Sequence, residues 1–212
     1  MRRVLIGFLA ITVAFSGCAS YTSTSAPLPR AGAMPVSQTE GAVEVGADPY
    51  TQTERHKSVF GSDLTAAGIL PVQVYLQNHG AEKVLVRASD MALELPDGRR
   101  VSHAGASAAA SKLESIGGVV GATIAFGIIG MLAASSAEDK ARAARLEDYK
   151  KKELPDTRLA KGESGHGFVY FIPPDGTKNL TAAVLLVRVV KVDEGSSFVT
   201  RLPLTGLGAP QQ

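Results

Sequence analysis

Strand signals begin near Arg55 and strengthen at Ile69, where apolar and polar positions start to alternate with a period of two. In Val72-Gln73-Val74-Tyr75-Leu76-Gln77 the apolar Val72, Val74 and Leu76 share one face, as in a half-buried strand. Asn78-His79-Gly80 supplies a turn. Val84, Val86 and Ala88 then alternate with Leu85 and Arg87, and Met91, Leu93 and Leu95 alternate with Ala92 and Glu94. Pro96-Asp97-Gly98 closes that run with turn chemistry, and Val101 starts a further short strand. The pattern returns after residue 160. Phe168, Tyr170 and Ile172 sit opposite Val169 and Phe171, Pro173-Pro174-Asp175-Gly176 turns the chain, and 182–190 is apolar on both faces, as a central strand requires. Asp193 to Ser196 reads as a hairpin loop into a strand over 198–202. Seven or eight short strands without alternating helices predict a mainly β, antiparallel two-sheet sandwich.

The two strand blocks are separated by an insertion over residues 104–161. Within it, 115–137 carries no charge for 23 positions, long enough to be a transmembrane candidate by length alone. Small residues recur at helical spacing as Gly117, Gly121 and Ala125, as Gly118 and Ala122, and as Gly130 and Ala134. Such stripes let another backbone approach closely. Five glycines in one run cost a helix about 1 kcal/mol each relative to Ala, so close packing is the expected compensation. From Glu138 to Glu153 the chain is Ala-rich and densely charged, the pattern of a solvated helix, until Pro155 stops it.

A single bilayer crossing by 115–137 would put the two strand blocks on opposite sides, and neither block alone has enough strands to bury a core. The insertion is therefore expected to leave and return on one side. It can pack on its own sandwich as half of a helical hairpin, pack against a copy or a partner, or dip into lipid and return.

At the N-terminus, Arg2 and Arg3 precede an apolar run from Val4 to Phe15, and Ser16 and Gly17 lead into Cys18. The run is too short to span a bilayer comfortably and fits a secretory signal. The segment resembles the lipobox of bacterial lipoproteins. That resemblance implies cleavage before Cys18, three acyl chains on it and permanent membrane attachment, since two lipid signals already suffice. Ala19 in place of Asp at the next position implies the outer membrane, facing the periplasm, rather than the inner one. Residues 18–50 are Ser-, Thr-, Ala- and Pro-rich and read as a flexible tether with a reach of roughly 30 Å. The expected plan is a signal peptide at 1–17, this tether, and a sandwich over 51–212 interrupted at 104–161.

Composition narrows the function. Lysine and arginine number 22 against 20 acidic residues, and Arg2 and Arg3 supply the surplus, so the mature chain is nominally neutral and nucleic acid is a poor partner. One cysteine excludes an intrachain disulfide and a thiolate zinc site. Gly162-Glu163-Ser164-Gly165-His166 lacks the last glycine of a nucleophile elbow and precedes a strand. Gly117 to Gly121 lacks the Gly-Lys-Ser/Thr of a phosphate loop. His56, His79, His103 and His166 occupy turn or strand-end positions and read as exposed loop histidines rather than metal ligands. No motif implies a cofactor.

Pro71 to Asn78, followed by Asp90 through Gly98, resembles Ig-like domains of bacterial envelope lipoproteins, whose later half carries a Gly-Glu step before a Gly-x-Val-x-Phe strand. Here these are Gly162-Glu163 and Gly167-Phe168-Val169-Tyr170-Phe171. The resemblance covers about 90 residues and carries no catalytic residues. The 23-residue uncharged run, not the resemblance, motivates the expected function: a non-enzymatic, lipid-anchored scaffold or accessory subunit, with Gly117, Gly118, Gly121, Ala122, Ala125, Gly130 and Ala134 as the contact stripe for an envelope partner or a second copy. The alternative is a membrane-inserting protein whose striped helices form an oligomeric bundle.

Overall fold

The computed structural model describes residues 21–28, 34–117, 128–174, 180 and 182–204, with positions 117 and 128–137 as backbone only. The elements run β1 (Val36–Glu40), β2 (Val43–Pro49), α1 (Thr53–Phe60), β3 (Leu70–Asn78), β4 (Val84–Val86), β5 (Ala92–Glu94), β6 (Arg100–Ser102), α2 (Gly105–Gly117), α3 (Ile128–Lys152), β7 (Thr157–Leu159), β8 (Ser164–Phe171), β9 (Val184–Lys191) and β10 (Ser197–Pro203). A 3-10 turn at Ala88–Asp90 separates β4 from β5.

Every strand pair is antiparallel, in two sheets. One has the order β1-β2-β3-β8. In the other, β9 is central: β10 lies along one edge, while β4 and β5 share the opposite edge and carry β7 and β6 outside them. Strands from before and after the insertion are thus direct neighbours in both sheets, as β3 with β8 and as β4 and β5 with β9. Their inward residues form one core, which includes Val45, Val72, Val74 and Val169 from the first sheet and Leu93, Leu185 and Val187 from the second. The fold is mainly β with a helical insertion, as its alternation implied.

Three expectations need correction. The stretch 36–49, assigned to a tether, forms β1 and β2, and β2 is an inner strand with Val43, Val45 and Ala47 fully buried. Its hairpin turn, Gly41-Ala42, has φ +55° and +63°, the twist that two-residue hairpins need but without the usual Asn-Gly or Asp-Gly signal. The region after Arg55 holds a helix, α1, which ends where Gly61 at φ +64° returns its N–H to Lys57 O at 3.0 Å. The insertion is not wholly helical, because its last part is β7, paired with β4.

The first sheet is covered on both faces. Tyr50, Ile69, Phe168 and Tyr170 project from its outer side into a second core with Val59 and Phe60 of α1, Ala106, Ala109 and Ala110 of α2, and Tyr149 of α3. Gln73 of β3, on the face expected to be wet, is only 4% exposed and is paired instead with Tyr50 and the Pro27 carbonyl.

Candidate functional site

The helical face of the first sheet brings together most of the buried rings and two buried polar side chains, His56 and Gln73. Phe60 lies at its centre, edge-on to Phe168 (4.9 Å between centroids), Tyr149 (5.5 Å) and Tyr50 (6.2 Å), arrangements that place ring edges against ring faces. Tyr149 and Tyr170 stack at 5.9 Å, and the Tyr170 hydroxyl donates to Tyr149 O at 3.1 Å. Burial pushes both phenols well above their ordinary value, so they stay protonated. His56 is fully buried. Its Nε2 lies 2.7 Å from Tyr50 O, and its Nδ1 lies 3.2 Å from Thr65 N and 3.4 Å from Asp63 Oδ1. Burial pulls Asp63 upward, but the Thr53 hydroxyl at 2.8 Å, the Ala66 N–H and His56 outweigh it and hold the carboxyl below its ordinary range.

Both ends of the insertion are pinned at β8. His103 N donates to Met91 O and Ala104 N to Tyr170 O on the way out. On return, Leu154 N donates to Phe168 O at 2.8 Å, and Glu153 bridges to Phe168 in parallel. Glu153 Oε1 accepts from Ala106 N at 3.0 Å, in the first turn of α2, and lies 3.0 Å from His103 Nε2. Burial lowers the His103 pKa below 6.5 despite that carboxylate. One side chain therefore ties the first turn of α2 to the last of α3. Farther out, Arg142 meets Glu114 at 3.3 Å, so the helices run antiparallel as a hairpin.

The segment 21–28, also expected to be part of the tether, is laid across this face. Gln73 Nε2 donates to Pro27 O at 2.9 Å, Thr24 N to Ser58 O at 3.0 Å, and the Tyr21 hydroxyl to Asp148 Oδ2 at 2.6 Å with Phe60 O 3.1 Å away. Lys152 also donates to Asp148, at 2.5 Å, and to Val59 O. A Cβ on Gly61 would strike Thr22 O and the Tyr21 ring, so the strap sits directly over the end of α1. Cavities of about 360 and 320 Å³ flank it, the first against Arg55 and Ser58, the second against Lys151 and His166.

The contact stripe is only partly placed. Gly117 closes α2, and Gly130 and Ala134 lie in α3; Gly118, Gly121, Ala122, Ala125 and Cys18 lie outside the described residues. The histidines are not uniformly exposed loop groups: His56 sits in α1, and the His103 side chain is 10% exposed. Among the described residues no three His, Cys, Asp or Glu side chains could hold a metal together. Ser164 and His166 lie in β8, an extended strand rather than an elbow. A cavity of about 680 Å³ is an open groove beside β7 and β8; of the acidic groups on it, Glu163 is occupied by Ala160 N–H at 2.7 Å. Among the described residues no helix is long and apolar enough to cross a membrane.

These features define a mainly β protein of two stacked antiparallel sheets, with a helical third layer supplied by α1 and the insertion. No family model and no curated protein matches the chain. Among solved structures it is similar to the yjhA protein from Bacillus subtilis, at 10% identity and a TM-score of 0.40, over 78% of this chain and 95% of that one. It is also similar to a functionally unknown protein from Listeria monocytogenes EGD-e, at 8% identity and a TM-score of 0.37, over 80% of each chain.

Proposed function

We propose that this chain is a lipid-anchored cell-envelope protein with an Ig-like sandwich, acting without catalysis as a scaffold or accessory subunit. The observation that carries the reading is the pinned hairpin. Its base is built into the domain by Glu153, Leu154 and Tyr149, and in this reading the uncharged, glycine-striped sequence between the two helices is the contact element. The anchor rests on the charged, apolar and small-residue order that leads into Cys18.

Mass measurement of membrane-extracted protein should find acyl chains on Cys18, and a Cys18→Ser variant should leave the membrane fraction. Cross-linking in membranes should then capture an envelope partner or a second copy through the hairpin. A monomeric protein whose behaviour is unchanged by replacing 118–127 ends the scaffold reading. If the Cys18→Ser protein still needs detergent, the alternative of a membrane-inserting bundle takes its place.

A further inference from the structure

We propose that the protein lies directly on the lipid surface by its helical face, held there by the 21–28 strap acting as a clamp. This rests on the lipid-anchored reading above.

The direction of the strap carries the inference. Pro27 and Leu28 sit beside Lys151, Lys152 and Gln73, near the pinned base of the hairpin. Thr24 is at Ser58, in the last turns of α1. Tyr21 is at Phe60 and Asp148, with Arg145 5.5 Å from its ring. Followed from residue 27 to residue 21, the chain therefore climbs α3 from position 152 to position 145, toward the N-terminus of that helix. The uncharged run resumes at Ala137, eight residues and about 12 Å farther along the helix.

Only Ala19 and Ser20 separate Tyr21 from Cys18, and three residues of fully extended chain span at most about 10 Å. Acyl chains on Cys18 must enter the bilayer within that radius of Tyr21. A tether free from 18 to 50 would have allowed roughly 30 Å of clearance; a strap fixed at Tyr21, Thr24 and Pro27 removes it. The lipid surface then lies against the helical layer, in which Ile116, near the end of α2, is 40% exposed. The outer face of β10, carrying Val199 at 46% exposed, lies beyond both sheets. The helices and the second sheet cover opposite sides of the first sheet, so that face points away from the lipid.

The full-length acylated protein, carrying one fluorophore at I116C or V199C, tests this in phosphatidylethanolamine and phosphatidylglycerol vesicles that contain a brominated lipid. Acylation of Cys18 leaves the introduced thiol unique, because the chain has no other cysteine. Quenching at position 116 should exceed that at 199 several-fold. Twenty Gly and Ser residues inserted between Ser20 and Tyr21 should bring it down to the level at 199 with the fold and vesicle binding unchanged. Equal quenching at the two sites in the parent protein overturns the proposal. So does a difference that survives the inserted linker, because the strap is then not its cause. An unmodified Cys18 in the mass spectrum defeats the anchored reading itself, and is seen before any vesicle is added.

Discussion

Gly167 is the position where one added methyl group is expected to do the most damage for its size. It lies in β8 opposite Val74, and its backbone is not in the left-handed region, so conformational freedom is not the reason for a glycine there. The reason is proximity. A Cβ would stand 2.5 Å from Leu154 Cα, 2.6 Å from Leu154 N and 3.0 Å from the Glu153 carbonyl carbon. These are backbone atoms, and no rotamer change relieves them. The Glu153-Leu154 stretch would have to retreat by about 1 Å, which stretches the Leu154 N–H bond to Phe168 O and loosens Leu154, 2% exposed, in the inter-sheet core. Overpacking of this kind costs about 1–3 kcal/mol, and a buried hydrogen bond weakened with it about 1 more.

Gly167→Ala should therefore destabilise by about 3 kcal/mol, or about 10 °C in Tm, read by urea and thermal unfolding. The sign is diagnostic, because an unobstructed Gly→Ala change in a strand stabilises by about 0.5–1 kcal/mol. Gly165→Ala is the internal control. Two residues earlier on the same strand face, its Cβ meets the Thr157 methyl at 2.6 Å, a side-chain atom, and the cost should stay near 1 kcal/mol or below. A neutral or stabilising Gly167→Ala, or one no worse than Gly165→Ala, would show that the returning chain does not bear on β8 as described.

Three further outcomes are expected. Ala42→Gly should stabilise by about 0.5–1 kcal/mol, because Ala42 holds φ +63° in an exposed hairpin turn at a cost glycine does not incur; an unchanged urea midpoint counts against that strain. Tyr21→Phe should cost about 1 kcal/mol through the lost hydroxyl bond to Asp148, and should raise protease cleavage within 21–28; a strap cut no faster than in the parent protein refutes its docking. For His103 the folded pKa lies below 6.5, so the unfolded chain takes up the proton first, and the stability contribution is complete above that value and falls as pH drops through it. Unfolding free energies between about pH 7.5 and about pH 5.5 should decline more steeply in the parent protein than in His103→Gln, and parallel curves would contradict the assignment.

The strands that were legible in the chain are those whose alternation is long and apolar: 70–78, 84–95 and 164–171 each bury one continuous side between the sheets. β2 was not legible because its core face is Val43, Val45 and small Ala47, interrupted by Gly46 and followed by Asp48-Pro49, in a stretch whose surroundings look like linker. β1 (VSQTE) is mostly polar and exposed, and is specified by its partner rather than by its own pattern. α1 is polar on average, and only His56, Val59 and Phe60, at helical spacing, mark its buried side. Of the candidate site, the helical insertion and its charged base were readable. The Glu153 pin and the strap were not, because each depends on residues 46 or more positions apart, or on hydrogen bonds to backbone that no side-chain pattern reports.

One signal for the third layer was nonetheless present in β8. Val169 and Phe171 face the inter-sheet core while Phe168 and Tyr170 face the other way, so both sides of this strand need cover, and a two-layer sandwich covers only one. The cover comes from α1 before β3 and from the α2–α3 base before β7, which bracket the first sheet in sequence as well as in space. The insertion is accordingly structural at both of its ends, and residues 118–127, between them, lie outside the described residues. Residues 105–110 and 149–154 are structural, since without them Phe60, Phe168 and Tyr170 would face water and β8 would lose the chain that runs along its outer edge.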